Sequence, residues 1–349
     1  HLTSTFSPET LVGCLPTAVE RRSRALMSEA AQGGFIPKFR KFSSSFCNLF
    51  PLWTVVTALV AMFTPSVFLR VSTKYFTGLI GVLMLCMGIT LSVDDFKRVL
   101  KRPVITLLAF VGCYGLLPAL AIVISKALAL SPTLSAGLVL LSAINGAQAS
   151  NLCNFIAKGD VALSVLITTF QTVGAILMTP LVAKVLLGTV VPVNAAAVAL
   201  STAQVVIVPI SAGMIINANF PRFVERVLPF SPIVGVLITC LLVGSAVAGS
   251  AAAIFEAGLR LQLACALLHF LGGAIGYLGV KSVNYSEKEA RTFGIQLSMK
   301  SSAFGYLLAK LHFADPGVRV PSAVSIVWMT LVGSTLAVLS RFNPPAEES

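Results

Sequence analysis

Long apolar runs, separated by short clusters of charge and proline, fill the chain from about residue 50 to residue 341. Leu52–Phe68, Val104–Ile124, Val161–Ala183 and Leu186–Phe220 contain no charged residue at all. A helix needs about 20 apolar residues to cross a hydrocarbon core of about 30 Å, and several of these runs reach that length. The pattern predicts ten spans, at 50–69, 75–92, 103–126, 133–157, 160–187, 193–218, 229–249, 257–280, 288–312 and 320–340. Charges and prolines mark the gaps, as in Asp94-Asp95-Phe96-Lys97-Arg98, Pro221-Arg222 and Tyr285-Ser286-Glu287-Lys288-Glu289. Backbone polar groups find no water inside lipid, so an all-α polytopic membrane fold is expected.

Two spans depart from the pattern. Span 4 carries Asn145, Gly146, Gln148, Ser150, Asn151 and Asn154 at mid-depth, and span 9 carries Gln296, Ser298, Lys300, Ser301, Ser302 and Gly305. Glycine beside polar residues is where a membrane helix can unwind, and unwound backbone is tolerated where it is buried in protein or lines a cavity. Interrupted helices at corresponding places of two halves point to a transporter site. Ser150 precedes Ala157-Lys158 as Ser302 precedes Ala309-Lys310, at a constant offset of 152 residues. That sets span 4 opposite span 9, as two five-span repeats require.

Composition agrees with the pattern. Hydrophobic residues make up 56% of the 349 and charged residues 11%, against roughly 25% charged in soluble domains. Lysines and arginines also fall unevenly. With the N-terminus inside, inside segments carry 17 and outside loops seven, which supports an even number of spans with both ends inside. The net charge of +12 therefore reports orientation rather than a nucleic-acid surface. Residues 1–49 are rich in Ser, Thr and Arg, and fit either a transit-peptide remnant or a disordered tail.

Lys300 is the one basic residue deep within a span rather than near its ends. It lies nine residues from Arg291 and ten from Lys310, so about 14 Å from either end at about 1.5 Å per residue. A lysine stem reaches only about 6 Å, so snorkelling does not free it. A charge at that depth costs about 3 kcal/mol on insertion scales, which argues for a function. No carboxylate lies at its depth in the spans. Lys300 reads as a fixed cation facing a central cavity, either attracting an anionic substrate or standing where a metal cation would otherwise sit. Isolated polar residues such as Gln171 and His269 read instead as bonds between helices.

These residues resemble the bile acid:sodium symporter family, in its plastid-type organic-anion branch. The likeness covers about residues 50–341. It is carried by Ala149-Ser150-Asn151 followed by Phe155-Ile-Ala-Lys-Gly159-Asp-Val-Ala-Leu-Ser164-Val-Leu-Ile-Thr168, by Gly88 through Asp95-Phe96, and by Arg291-Thr292 through Met299 and Ser301. The resemblance implies ten transmembrane helices in two inverted five-helix repeats, 50–188 and 193–341, with broken helices 4 and 9 crossing at the centre. A tail at 342–349 would follow. It implies a first sodium site on Ser150, Asn151, Ser164 and Thr168. The family's carboxylate shared between two sodium sites falls on Gln296, and two glutamines of the second site fall on Lys300 and Cys113. The second site is thus expected to be absent, with Lys300 filling it. A sodium ion about 4 Å from that ammonium, at an effective dielectric of about 20, would be repelled by about 4 kcal/mol. Sodium at the first site, with neutral oxygens only and Gln296, is expected to be weak. No other cofactor is expected.

The expected substrate is a short organic carboxylate such as a 2-oxo acid, glycolate or pantoate, held by Lys300, Asn145, Gln148, Asn154, Gln296, Ser301 and Ser302. Secondary transport by alternating access in a plastid envelope, ends on the stromal side, follows from the resemblance, with sodium symport through the first site as the alternative. The expected partners are that substrate and the lipid bilayer, not nucleic acid, and the expected state is a monomer. Enzyme chemistry finds little support. Three histidines and seven cysteines are scattered without a CxxC pair, and Lys300 and Ser301, as helix neighbours, would point about 100° apart. No repeated filter motif or ring of like charge suggests a channel.

Overall fold

The structure is a computed structural model that describes residues 43, 46–47, 49–71, 73–91, 102–188, 194–228 and 230–342. Most of the expected N-terminal tail, the charged stretch with Asp94, Asp95 and Phe96, the boundary between the expected repeats and the C-terminal tail lie outside these residues. Thirteen helices make up the described chain: α1 (Phe50–Phe63), α2 (Thr73–Thr90), α3 (Pro103–Ala127), α4 (Pro132–Ser142), α5 (Ala149–Ile156), α6 (Val161–Leu187), α7 (Ala195–Asn219), α8 (Pro221–Val227), α9 (Ser231–Ala248), α10 (Ala251–Ser282), α11 (Glu287–Ser298), α12 (Ser302–His312) and α13 (Val320–Phe342). No strand occurs among the described residues. Six segments are long and apolar enough to cross a bilayer: α3, α6, α7, α9, α10 and Pro316–Ser340. Phe50–Phe63, Lys74–Thr90 and Pro132–Ser142 are apolar but shorter.

Local chemistry sets the helix starts. Proline opens α3 and α4, where its missing N–H costs nothing. Asp160 caps α6 by accepting from the Leu163 N–H at 2.9 Å. Ser286 and Glu289 form a capping box at α11, satisfying orphan donors reciprocally. Gly258 interrupts α10 at φ 62° and ψ −157°, a region open essentially to glycine alone. The expected eighth span, starting at 257, begins beside this interruption.

One face of each long helix stays apolar and outward. On α6 the exposed residues Val173, Leu177, Leu181 and Val185 recur every four positions, while Ile167, Gln171, Ala175 and Thr179 are buried. A stripe of this kind suits lipid better than water. Glycines let backbones meet inside. A Cβ at Gly88 on α2 would collide with the Ile210 carbonyl of α7, and one at Gly213 would come within 2.6 Å of the Leu85 carbonyl. At one end, Arg102 reaches Asp160 at 3.1 Å and Glu289 at 3.4 Å, tying the start of α3 to α6 and α11. Arg291, read from sequence as a border charge, is instead buried and bonds Glu287 at 2.8 Å and the Ser340 carbonyl at 2.7 Å.

Candidate functional site

Spans 4 and 9 are both broken. The helix stops at Ser142 and resumes at Ala149; the other stops at Ser298 and resumes at Ser302. The two breaks pair as an antiparallel bridge, Gly146 opposite Lys300. The Ala147 N–H donates to the Met299 carbonyl and the Ser301 N–H to the Asn145 carbonyl, each at 3.0 Å. An unwound segment leaves buried polar backbone that must be paired. The Gly146 N–H donates to Gln171 Oε1 at 3.1 Å, and Gln171 Nε2 in turn donates to the Ala109 carbonyl at 3.1 Å. Thr179 Oγ1 donates to the Ala143 carbonyl at 2.8 Å. His269 Nδ1 meets the Ser298 carbonyl at 2.8 Å. Gln171 and His269 thus bond between helices, as isolated polar residues should, and here those bonds hold the breaks open. A Cβ on Gly146 would come within 2.9 Å of Gln171 Oε1, so a side chain there would push the Gln171 amide off the Gly146 N–H.

Lys300 lies at the centre of this junction, 1% exposed. Its Nζ bonds the Ile144 carbonyl at 3.0 Å and Cys113 Sγ at 2.9 Å. Cys113 belongs to a π turn, Gly112–Leu116, that widens α3 beside it. Among the described residues no ion pair involves Lys300. An ammonium has three N–H donors; these two bonds leave one for a ligand. The junction is closed in this conformation, so a ligand reaches Lys300 only after the helices move.

The remaining predicted residues divide into two groups. Ser150, Asn151, Asn154, Ser164, Thr168 and Gln296 converge between α5, α6 and α11. Gln296 Nε2 lies 2.7 Å from both the Ser164 carbonyl and Ser164 Oγ and 2.8 Å from Thr168 Oγ1, with two hydrogens to share among the three. Its Oε1 accepts from Ser150 Oγ at 3.0 Å. Ser164 Oγ donates to Asn151 Oδ1 at 2.6 Å and accepts from Asn154 Nδ2 at 2.8 Å. Asn154, expected with the substrate group, therefore joins the oxygen cluster, and its Oδ1 is buried without a partner.

Asn145 stays at the break, donating to Thr172 Oγ1 at 2.9 Å, with its own Oδ1 buried and unpartnered. Ser302 bonds Ser325 Oγ at 2.7 Å, and Ser325 meets His269 Nε2 at 2.7 Å. Gln148 reaches only Met84 Sδ, at 3.5 Å. Ser301 precedes α12 without a side-chain cap bond. The supporting residues Thr172, Thr179 and Ser325 carry no sequence signal, since Ser and Thr are common in membrane helices.

A polytopic helical protein whose two broken helices meet beside a buried lysine and a cluster of neutral oxygens has the build of a membrane transporter. Residues 77–257 match the sodium bile acid symporter family. The chain belongs to that family, and is a transporter rather than an enzyme. It is 42% identical over 304 residues to a probable sodium/metabolite cotransporter, BASS2, chloroplastic, of Oryza sativa subsp. japonica, covering 87% of this chain and 73% of the relative. It is 37% identical over 298 residues to the probable sodium/metabolite cotransporter BASS1, chloroplastic, of Arabidopsis thaliana, covering 85% and 74%. An uncharacterized sodium-dependent transporter, YocS, of Bacillus subtilis (strain 168) is 32% identical over 298 residues, covering 85% and 92%.

Proposed function

We propose that this protein is a secondary active transporter of small organic anions, working by alternating access, with the substrate bound where the breaks of spans 4 and 9 meet. The observation that carries the proposal is Lys300, buried with no ion pair among the described residues and tethered to the Ile144 carbonyl and Cys113. A buried cation has a high cost unless something pairs with it. A carboxylate arriving at the spare N–H would supply that partner. The neighbouring Asn145 Oδ1 is an acceptor in need of a donor, which a hydroxy acid such as glycolate or pantoate offers and a 2-oxo acid does not.

Ten membrane helices in two inverted repeats, 50–188 and 193–341, accommodate this mechanism. Ser150 and Ser302 both lie at the start of the half-helix after a break, as such repeats require. The chloroplastic relatives support a plastid envelope location, with the chain's ends on the stromal side and a monomer as the working unit. Lys300 takes the place of a second sodium ion, so sodium dependence is weak or absent. A second reading is sodium-coupled symport through the oxygen cluster at Ser150, Asn151, Ser164 and Thr168; the description of the relatives as sodium/metabolite cotransporters favours it.

A thermal-shift screen of purified protein against short carboxylates, followed by uptake into liposomes with and without a sodium gradient, tests both. The proposal expects a carboxylate-specific shift and uptake that persists without sodium. No carboxylate response would refute anion transport, and a strict sodium requirement would leave the symport reading.

A further inference from the structure

We infer that the first cation pocket of this transporter is filled by the protein itself: the Gln296 side-chain amide nitrogen stands where an ion would be held. This rests on the transporter reading and deepens it. The pocket's oxygens are Ser164 O, Ser164 Oγ and Thr168 Oγ1, at 2.7, 2.7 and 2.8 Å from Gln296 Nε2. The amide's orientation is fixed by chemistry, because a backbone carbonyl only accepts, so the atom facing Ser164 O is the NH₂. Ser150 Oγ, whose one hydrogen is shared between the Ala147 carbonyl at 2.7 Å and the amide oxygen at 3.0 Å, faces the other end.

The donors and acceptors close the pocket. A hydroxyl has one hydrogen and two lone pairs. Ser164 Oγ gives its hydrogen to Asn151 Oδ1 and accepts from both Gln296 Nε2 and Asn154 Nδ2. No lone pair of Ser164 Oγ remains for a cation. Thr168 Oγ1 donates to the Ser164 carbonyl at 2.9 Å and accepts from Gln296. A sodium ion would have to evict the amide and leave its N–H groups buried and unpaired. The residues present therefore do not fit a bound sodium ion, although sodium is what the family's description names.

A carboxylate at position 296 would reverse this. Its charged oxygen would face the Ser164 carbonyl, which only accepts, and a cation between the two would relieve that repulsion. A negative charge about 4 Å from a cation, at an effective dielectric of about 20, raises affinity about a thousandfold.

The test is thermal stability of the purified full chain in NaCl against KCl, without carboxylate present, for the wild type, Gln296→Glu and Gln296→Ala. The wild type is expected to show no sodium-specific shift. Gln296→Glu is expected to gain a saturable, sodium-specific rise, and Gln296→Ala a weaker one. A saturable sodium-specific shift in the wild type that Asn151→Ala or Thr168→Val removes would overturn the inference, and needs no variant at 296 to fold. A folded Gln296→Glu protein indifferent to sodium would overturn it too. Carboxylate binding, measured separately through its loss in Lys300→Met, reports on the transporter reading independently.

Discussion

Replacing Lys300 with methionine removes the charge and keeps the length of the side chain. Two effects on folding oppose each other. The Ile144 carbonyl loses a charged donor at 3.0 Å, and hydrogen bonds to charged groups contribute about 1.5–3 kcal/mol. Against this, an ammonium without a counter-charge no longer has to be desolvated, which in real proteins costs several kcal/mol. Cys113 Sγ, at 3.5 Å, still donates to the same carbonyl. The variant should therefore fold, with a stability near or above that of the wild type. Its effect on the ligand is one-sided. A carboxylate about 4 Å from the ammonium at an effective dielectric of about 20 gains about 4 kcal/mol, or about a thousandfold in affinity. The assay is carboxylate-dependent thermal shift of purified protein, paired with uptake into liposomes. Loss of both in a protein that melts cooperatively is expected. Uptake at the wild-type rate would refute the reasoning and leave Lys300 a buried group without a role.

Thr179→Val should cost about 1–3 kcal/mol in thermal or denaturant unfolding, because it strands the buried Ala143 carbonyl at the break. Gly258→Ala should cost about 1–3 kcal/mol by the same measurement, since alanine at φ 62° and ψ −157° is strained. Partial burial pushes the Glu287 carboxyl up, but hydrogen bonds from Arg291, Lys281 and Tyr277 outweigh it and hold the group below its ordinary 4.5. A depressed carboxyl stabilises fully above its unfolded value and loses that stabilisation as pH falls through the folded one. Melting temperature followed below about pH 4.5 should therefore drop more steeply for the wild type than for Glu287→Gln.

The amino-acid sequence alone determined several of the long helical segments. The expected spans 103–126, 160–187 and 320–340 lie within two residues of α3, α6 and α13, because bilayer thickness fixes run length while prolines, charges and caps fix the ends. It also determined where two helices unwind, since clustered Gly, Asn and Ser favour a break, and it singled out Lys300 by the cost of its charge. Tertiary structure decided what these residues touch. Gln296 and Ser164 are 132 positions apart, and only the approach of α11 to α6 turns the amide nitrogen toward the oxygens. Asn154 joins that cluster rather than Lys300 for the same reason. Arg291 is buried although its position in the sequence marks a border. The partners that satisfy the unwound backbone, Gln171, Thr179 and His269, come from other helices. Hydrogen bonds are directional and short, so their pairing depends on how helices cross, and that geometry is not written in any single run of residues.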